Sequence, residues 1–250
     1  MKLSKLIDKP EIFLSIQGEG RNLGQLSVFV RTSLCNLHCV WCDTDYTWNW
    51  EGTPFKHVRD ADPNYKKYRK EDQILELEPS EIAKLVHAYG CRNVVLTGGE
   101  PLMQQDEISS LMEILRRKDA SYRFEIETNA TLVPSERFDA LIDQYNASPK
   151  LPSSGNEDQL RLRPKALAFF AASPKTWFKF VCCNAADVDE VVEFTETHVI
   201  KRSRVFLMPQ GTTSEHIWKI SSEIVPSCIE RGFNFTDRLH VHLFRNKRGT

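Results

Sequence analysis

The sequence predicts an α/β protein built on a partial, open TIM-like barrel of about six βα units. Short β-prone segments alternate with helical patterns, polar motifs directly follow several strand segments, and an apolar fraction of 41% over 250 residues can supply a core. A closed barrel of this class has eight units. Because the chain offers about six, we expect an open sheet in a single domain over residues 1–250.

The predicted strands are β-branched and aromatic runs bounded by turn residues. They cover residues 28–30, 94–96, 124–126, 177–181, 205–207 and 239–243. Between them, apolar residues spaced i, i+3, i+4 and, where the pattern continues, i+7 predict amphipathic helices. These include Ile82, Ile108, Phe138, Val188 and Ile217. Pro79 is suited to open the first helix and Ser214 to cap the last, and the helix containing Phe138 extends to Tyr145.

Two stretches interrupt the alternation. Residues 48–73 hold two tryptophans, two prolines and a basic run at 66–70, and residues 148–164 are rich in proline and serine. We interpret both as long loops, and we treat 48–78 as an insertion. The C-terminal residues 244–250 are expected to form a tail that packs near the functional site predicted below.

Composition excludes several classes of function. Thirty-three basic residues balance 34 acidic ones, so nothing in the overall charge attracts nucleic acid. No apolar run approaches the 18 residues of a membrane span, the longest being seven residues at 166–172. The N-terminus resembles no secretory signal, and we expect a cytoplasmic protein.

Three of the seven cysteines, Cys35, Cys39 and Cys42, fall within eight residues. An odd number of cysteines without a signal peptide favours a reducing compartment, so crowded thiols indicate metal, cluster or redox chemistry. Three thiolates can hold three irons of a cubane cluster and leave the fourth iron open. One alternative is zinc with His38 as fourth ligand, and another is a redox pair of Cys39 and Cys42. The other four cysteines are expected to be ordinary thiols.

Further polar motifs follow other predicted strands. They are Thr97-Gly98-Gly99-Glu100-Pro101, Glu127-Thr128-Asn129 and Met208-Pro209-Gln210-Gly211. Because the carboxyl ends of parallel strands meet at one edge, we expect these motifs and the cysteines to converge on one site. Two adjacent glycines also let a backbone approach a ligand closely.

The cysteine triplet and the Gly-Gly-Glu-Pro turn resemble the radical S-adenosylmethionine (SAM) superfamily. Further motifs resemble the 7-carboxy-7-deazaguanine synthases, which make a deazapurine from 6-carboxy-5,6,7,8-tetrahydropterin on the way to queuosine. Those motifs are residues 12–20, 29–31, 42–48, 148–154 and 245–250. The resemblance touches both ends of the chain and implies a radical ring contraction with loss of ammonia. The stretch 48–78 is longer than in compact members of the family.

The resemblance also implies the roles of individual residues. Cys35, Cys39 and Cys42 would ligate a [4Fe-4S] cluster and, with Arg31, form the catalytic set. The residues implied to contact SAM are Trp41, Cys42, Asp43, Gly99, Glu127, Ser148, Pro149, Lys150 and Gln210. Those implied to face the substrate are Ile16, Gln17, Gly18, Arg31, Thr97, His240 and Thr250. Thr44 would bind Mg²⁺ through its hydroxyl.

Several of these assignments have competing interpretations. A guanidinium suits a carboxylate, but Arg31 is also compatible with a surface ion pair, and Thr44 with a turn. His240 and His242 alternate on the predicted last strand, where a core histidine is an equal alternative, and Thr250 could belong to a frayed end. A second Ser-Pro-Lys triplet, at 173–175, competes with 148–150.

Three other functions are weighed against this one. An activating enzyme for a glycyl-radical protein would use the same cluster and SAM on a protein partner. A zinc-binding module would be non-catalytic, and a tRNA-modifying enzyme would need a basic stripe that this chain lacks. The resemblance further implies a small pterin substrate, an electron donor such as flavodoxin or ferredoxin, and a homodimer, without nucleic acid or membrane.

Overall fold

The computed structural model describes residues 1–250, and a mixed sheet of eleven strands runs through it. The strands are β1 (Lys2–Leu6), β2 (Lys9–Pro10), β3 (Ile12–Ile16), β4 (Leu26–Thr32), β5 (Ile74–Glu76), β6 (Asn93–Gly98), β7 (Arg123–Thr128), β8 (Gln144–Ala147), β9 (Thr176–Cys182), β10 (Val205–Pro209) and β11 (Asn234–Phe235). The sheet order is β11-β10-β9-β8-β7-β6-β4-β1-β2, which leaves the sheet open as predicted.

Strands β4 and β6 to β11 are parallel to one another and form the barrel-like part of the sheet. Thr32 at the end of β4 pairs with Gly98 at the end of β6, so the loops that follow these strands leave from the same edge. Antiparallel strands extend the sheet beyond β4. β1 and β3 pair with β4, and β2 and β5 pair with β1.

Nine helices connect or flank the strands. They are α1 (Lys70–Gln73), α2 (Pro79–Ala88), α3 (Gln105–Lys118), α4 (Glu136–Leu141), α5 (Asp158–Arg161), α6 (Pro164–Ala172), α7 (Ala186–Thr197), α8 (Ser214–Arg231) and α9 (Leu239–Phe244). Apolar faces of the longer helices pack on the sheet around one cluster of 40 buried residues. No helix in the structure combines the length and apolarity that a membrane crossing requires.

Five of the six predicted strands are confirmed, and the sixth is wrong. Residues 239–243 lie in helix α9, because Leu239 N–H donates to the Gly18 carbonyl at 2.9 Å and β11 already occupies the edge beside β10. The sharing of one strand face by His240 and His242 is therefore also wrong. His242 instead contacts Ser214 and Asp237 outside the cavity described below.

Strand β8 takes the place of the missing sixth strand, between β7 and β9. Its sequence, Gln-Tyr-Asn-Ala, alternates polar and apolar residues over only four positions, and Tyr145 also continues the helical spacing that begins at Phe138. Gln144 and Asn146 are nevertheless buried, because both side chains donate to the Glu125 carboxylate, at 3.1 and 3.0 Å. The predicted helix around Phe138 consequently ends at Leu141, and Tyr145 belongs to β8.

The other predicted helices correspond to α2, α3, α7 and α8. The cap of α8 is Thr213 rather than Ser214, since the Thr213 hydroxyl accepts the His216 N–H. The loop predicted over 148–164 contains α5, and the apolar run at 166–172 forms most of α6. Within the predicted insertion, α1 precedes β5, which joins the sheet beside β1.

Candidate active site

One cavity lies at the carboxyl ends of the parallel strands and gathers nearly every residue singled out in the sequence. Its walls include Ile16, Gln17, Gly18, Arg31, Cys35, Cys39, Trp41, Cys42, Asp43, Thr44, Thr97, Gly99, Glu127, Ser148, Lys150, Gln210, His240 and Thr250. Pro149 is the one predicted contact residue that does not line it. The expected convergence arises because β4, β6, β7, β8 and β10 all end at this edge.

The three clustered thiols all face this cavity, and each has a polar neighbour. Cys39 Sγ accepts from Asn156 Nδ2 at 3.2 Å, Cys35 Sγ accepts from the Leu37 N–H at 3.5 Å, and Cys42 Sγ lies 3.5 Å from Thr44 Oγ1. The remaining four cysteines do not line the cavity.

Burial raises the pKa of all three thiols, that of Cys42 to about 12, and their mutual proximity adds to the rise for Cys35 and Cys42. Three neighbouring buried thiolates therefore need a cationic partner, and binding iron would release their protons.

The donor set fits an iron–sulfur cluster better than a single ion. No group of three or more His, Cys, Asp or Glu side chains has the geometry to hold one metal ion. A cubane carries each thiolate on a different iron, so its ligands need not converge on one point. His38, the fourth ligand of the zinc alternative, does not line the cavity. Its ring stacks on Phe55 with centroids 3.4 Å apart.

The Gly-Gly-Glu-Pro turn brings the end of β6 against the cysteine loop. A Cβ on Gly99 would lie 1.9 Å from the Leu34 carbonyl oxygen, so only glycine fits there. Glu100 N–H donates to that same carbonyl at 2.8 Å. The fully buried Glu100 carboxylate accepts from Thr128 Oγ1 and from the N–H groups of Leu102 and Asn129. Glu100 therefore organises the edge of the site without facing the cavity.

Arg31 lies in β4, and its side chain lines the cavity. One nitrogen of its guanidinium is ion-paired, and the other two are free to bind a ligand. Its Nε donates to Glu11 Oε1 at 3.2 Å, while Nη1 and Nη2 have no hydrogen-bond partner in the protein. Glu11 is fully buried and also accepts from Tyr46 at 3.2 Å and Arg248 at 2.7 Å. Arg31 therefore does form an ion pair, as the alternative interpretation stated. The pair lies in the cavity wall and not on the outer surface.

A second set of polar side chains lines the cavity. Glu127 accepts from Thr97 Oγ1 at 2.6 Å and from Gln17 Nε2 at 3.3 Å. Gln17 Nε2 also donates to Glu125 at 3.1 Å. Donors and acceptors thus line this wall, which suits a heterocycle with several polar edges.

Arg238 forms a buried junction that the sequence did not reveal. Its guanidinium pairs with Asp43 and with Glu19, and Glu19 also pairs with Lys179. Although burial raises the pKa of Glu19, the charges of Lys179 and Arg238 hold it far below its usual value. Burial lowers the pKa of His240 at the edge of this network, which favours its neutral form at pH 7. The network joins the cysteine loop, the β3–β4 loop and α9.

Replacing Arg238 by leucine should destabilise the protein by about 3–5 kcal/mol, because Asp43 and Glu19 would lose their shared buried partner. Thermal unfolding of the purified protein measures this. Arg202→Leu is the matched control, since Arg202 pairs with Glu196 on the surface with 41% and 66% of the side chains exposed, and should cost about 1 kcal/mol or less. Equal losses in the two variants would contradict the buried-junction interpretation.

Residues 246–250 of the C-terminal tail line the cavity. Arg248 stacks on Tyr46 at 3.5 Å from its ring centroid and donates to Glu11 and to the Lys5 carbonyl. Thr250 lines the cavity, although the only hydrogen bond of its hydroxyl is to the Lys247 carbonyl.

The structure also separates the two Ser-Pro-Lys segments. Ser148 and Lys150 follow β8 at the cavity, where Lys150 Nζ donates to Ser148 Oγ at 2.9 Å. Lys175 precedes β9 at the opposite end of the sheet and contacts Asp139. Of the two triplets, only 148–150 is therefore placed to contact a ligand in this cavity.

Several residues of the site were missed by sequence reasoning. Glu19 lies within the motif at residues 12–20, and that motif was the one available signal. Glu11, Asn156, Lys179 and Arg238 carry no local pattern, and their partners lie 20 to 219 residues away along the chain.

Comparison with known sequences gives a consistent result. The sequence matches the radical SAM superfamily over residues 29–151. A 7-carboxy-7-deazaguanine synthase of Pyrobaculum aerophilum is 36% identical over 239 residues, which cover 96% of this chain and 95% of that protein. The synthase of Hyperthermus butylicus is 32% identical over 243 residues, covering 96% and 93%.

Solved structures show the same fold. QueE from Escherichia coli aligns with a TM-score of 0.63 at 21% identity, over 96% of this chain and 95% of that one. Streptococcus suis SuiB, bound to S-adenosylmethionine, aligns with a TM-score of 0.51 at 15% identity, over 84% of this chain and 49% of that one. At these identities the likeness concerns the fold.

Proposed function

Because the chain belongs to the 7-carboxy-7-deazaguanine synthase family of radical SAM enzymes, we propose that its cavity carries out that family's ring contraction. The substrate is 6-carboxy-5,6,7,8-tetrahydropterin, and the products are 7-carboxy-7-deazaguanine and ammonia. The observation that carries the proposal is the single cavity in which the three clustered thiols, the Gly-Gly turn and the free end of Arg31 meet.

Cys35, Cys39 and Cys42 would hold the [4Fe-4S] cluster, and the fourth iron would remain open to SAM. Support comes from three thiols on one cavity wall and from the absence of a fourth cysteine there. When bound, the cluster supplies the electron that cleaves a carbon–sulfur bond of SAM to give a 5′-deoxyadenosyl radical. The protein's part is to bind, orient and shield the reactants.

The SAM site would lie between the cysteine loop and the ends of β6, β7, β8 and β10. The residues proposed for it are Trp41, Cys42, Asp43, Gly99, Glu127, Ser148, Pro149, Lys150 and Gln210. The missing side chain of Gly99 lets the end of β6 pack against Leu34 at the start of the cysteine loop, and the Lys150 ammonium suits a carboxylate. Pro149, which does not line the cavity, would act by shaping its neighbours.

The substrate carboxylate would lie on the free nitrogens of Arg31. The other residues proposed for the substrate site are Ile16, Gln17, Gly18, Thr97, His240 and Thr250. A Cβ at Gly18 would lie 2.1 Å from His240 Nδ1, so glycine is what lets the helix α9 histidine close over the β3–β4 loop. Thr97 and Gln17 would supply acceptors and donors for the ring edges, and both are held in place by their hydrogen bonds to Glu127.

Thr44 would be the one protein ligand of Mg²⁺, the remaining ligands being substrate oxygens and water. Its hydroxyl lines the cavity, and its sole protein neighbour within hydrogen-bond range is Cys42 Sγ at 3.5 Å, so an oxygen is available. The chemistry of this donor fits a hard cation that takes few protein ligands.

Replacing Thr44 by valine, which keeps the shape but removes the oxygen, should lower kcat/KM about tenfold or more at low Mg²⁺ and flatten the Mg²⁺ dependence. Thr44→Ser, which keeps the hydroxyl, is the matched control and should titrate like the parent enzyme. Mg²⁺ titrations of turnover, with cluster content checked by iron analysis, measure the effect. Identical titrations for Thr44→Val and the parent would exclude Thr44 as the ligand.

The deciding experiment is anaerobic turnover of the carboxytetrahydropterin by the reconstituted chain with SAM and a chemical reductant. Formation of 7-carboxy-7-deazaguanine with one ammonia per product is the expected result. A protein that holds its cluster and cleaves SAM, yet yields no such product, would contradict the assignment.

The second candidate, activation of a glycyl-radical protein, predicts cleavage of SAM only when a protein partner is added. The relatives reported above favour the small-molecule reaction. Activation of a protein partner also gives no reason for the free nitrogens of Arg31 in the cavity. Turnover with flavodoxin or ferredoxin in place of the chemical reductant would identify the class of electron donor, and sedimentation of the same preparation would test the expected homodimer.

We also propose that the chain acts as a single domain. One sheet includes both Lys2 and Phe235, and one core cluster includes both Met1 and Phe233. Neither half would therefore keep its core alone.

A further inference from the structure

Residues 152–156, here called the clamp segment, lie against the back of the cysteine loop. The Ser154 carbonyl accepts the Val40 N–H at 2.9 Å, and the Ser153 carbonyl accepts Trp41 Nε1 at 2.9 Å. Asn156 Oδ1 accepts the His38 N–H at 2.9 Å. The segment thus holds three successive parts of the loop that carries Cys39 and Cys42.

The amide orientation of Asn156 follows from these contacts. Because Oδ1 accepts a backbone N–H, the other end of the amide must be the donor. That donor, Nδ2, lies 3.2 Å from Cys39 Sγ and 3.1 Å from Ser154 Oγ. Asn156 and Cys39 are 8% and 6% exposed, so water does not compete strongly for this sulfur.

The other two thiols have weaker donors. Asn129 Nδ2 lies 4.0 Å from Cys35 Sγ and is engaged by Asn36 Oδ1 at 2.8 Å. Thr44 Oγ1 lies 3.5 Å from Cys42 Sγ. Among the side-chain donors to the three sulfurs, the amide of Asn156 therefore makes the shortest contact.

We propose that Asn156 is a positioning residue that sets the reduction potential of the cluster through its hydrogen bond to Cys39. The inference rests on the proposed function, in which Cys39 is a cluster ligand. Reduction adds one electron from the external donor and increases the negative charge shared by the sulfurs. A donor to a ligand sulfur stabilises the reduced cluster more than the oxidised one, and so raises the potential.

The test is anaerobic redox titration of the full-length reconstituted protein, followed by electron paramagnetic resonance and without substrate. Asn156→Leu removes the donor in a similar volume. Asn156→Asp keeps the acceptor for the His38 N–H but puts a carboxylate beside the sulfur. At a fixed potential, Asn156→Leu should lower the ratio of reduced to oxidised cluster about tenfold, a shift of about 59 mV to more negative potential. Asn156→Asp should shift it at least as far.

Ser154→Ala is the matched control, because Ser154 Oγ contacts the same amide but not the sulfur. It should shift the ratio less than half as far as Asn156→Leu. Unchanged potentials in both Asn156 variants, with full iron content, would overturn the inference. So would loss of iron from both variants, since the amide would then hold the loop rather than tune the sulfur. A parent protein that binds no cluster would overturn the proposed function as well, and iron analysis of the parent separates that failure from the others.

Discussion

Replacing any one of Cys35, Cys39 or Cys42 by alanine is expected to abolish both SAM cleavage and product formation, a loss of at least about 10³-fold. All three thiols line one cavity wall without a fourth cysteine, so no other thiol can take over a lost iron ligand. Iron and sulfide content per chain, together with assayed 5′-deoxyadenosine, measures the effect. The folded structure should survive, because the substitution removes only a small side chain from the loop.

The matched control is Cys91→Ala. Cys91 is a free thiol outside the cavity, and its sulfur contacts the carbonyls of Leu26 and Asn93. This variant should keep its iron and its turnover. A Cys39→Ala protein with the full iron content and SAM cleavage of the parent would refute the ligand assignment, whatever the fate of the product.

Replacing Arg31 by methionine should lower kcat/KM for the carboxytetrahydropterin by about 10- to 150-fold. The physical basis is the loss of charge-assisted hydrogen bonding to the substrate carboxylate, of which a single bond worth about 1.5–3 kcal/mol accounts for a loss of this size. Glu11 would keep Tyr46 and Arg248 as partners, so the fold should tolerate the change. Arg31→Lys should recover only part of the activity, because an ammonium cannot form the two-pronged contact.

Arg92→Met is the control for the loss of a positive charge outside the cavity. Arg92 precedes β6 at the amino end of the strand, away from the cavity, and pairs with Asp119 at 2.6 Å. Steady-state kinetics under saturating SAM compare the variants, and iron content confirms that the cluster is unaffected. If Arg31→Met left KM and kcat for the substrate unchanged, the carboxylate would have to bind elsewhere, with Lys150 the next candidate.

Local patterns carried much of the fold prediction. Five strands and the helices α2, α3, α7 and α8 have apolar residues at the spacing of their secondary structure, because one face of each packs on the core. Strand β8 alternates polar and apolar residues over only four positions, and helix α9 carries the alternation of a strand. Burial of Gln144 and Asn146 depends on a carboxylate from β7, and α9 forms where Leu239 meets the Gly18 carbonyl.

The sequence by itself determined the chemistry of the site, namely three thiols at close spacing, a Gly-Gly turn after a strand and polar groups at the strand ends. These signals are local, since neighbouring residues in a loop must lie close together whatever the rest of the chain does. Only the tertiary structure decided which distant groups support them. Arg238 reaches Asp43 across 195 residues and Asn156 reaches Cys39 across 117. Such contacts join single polar groups from separate loops, and a single pair leaves no periodicity in the sequence to reveal it.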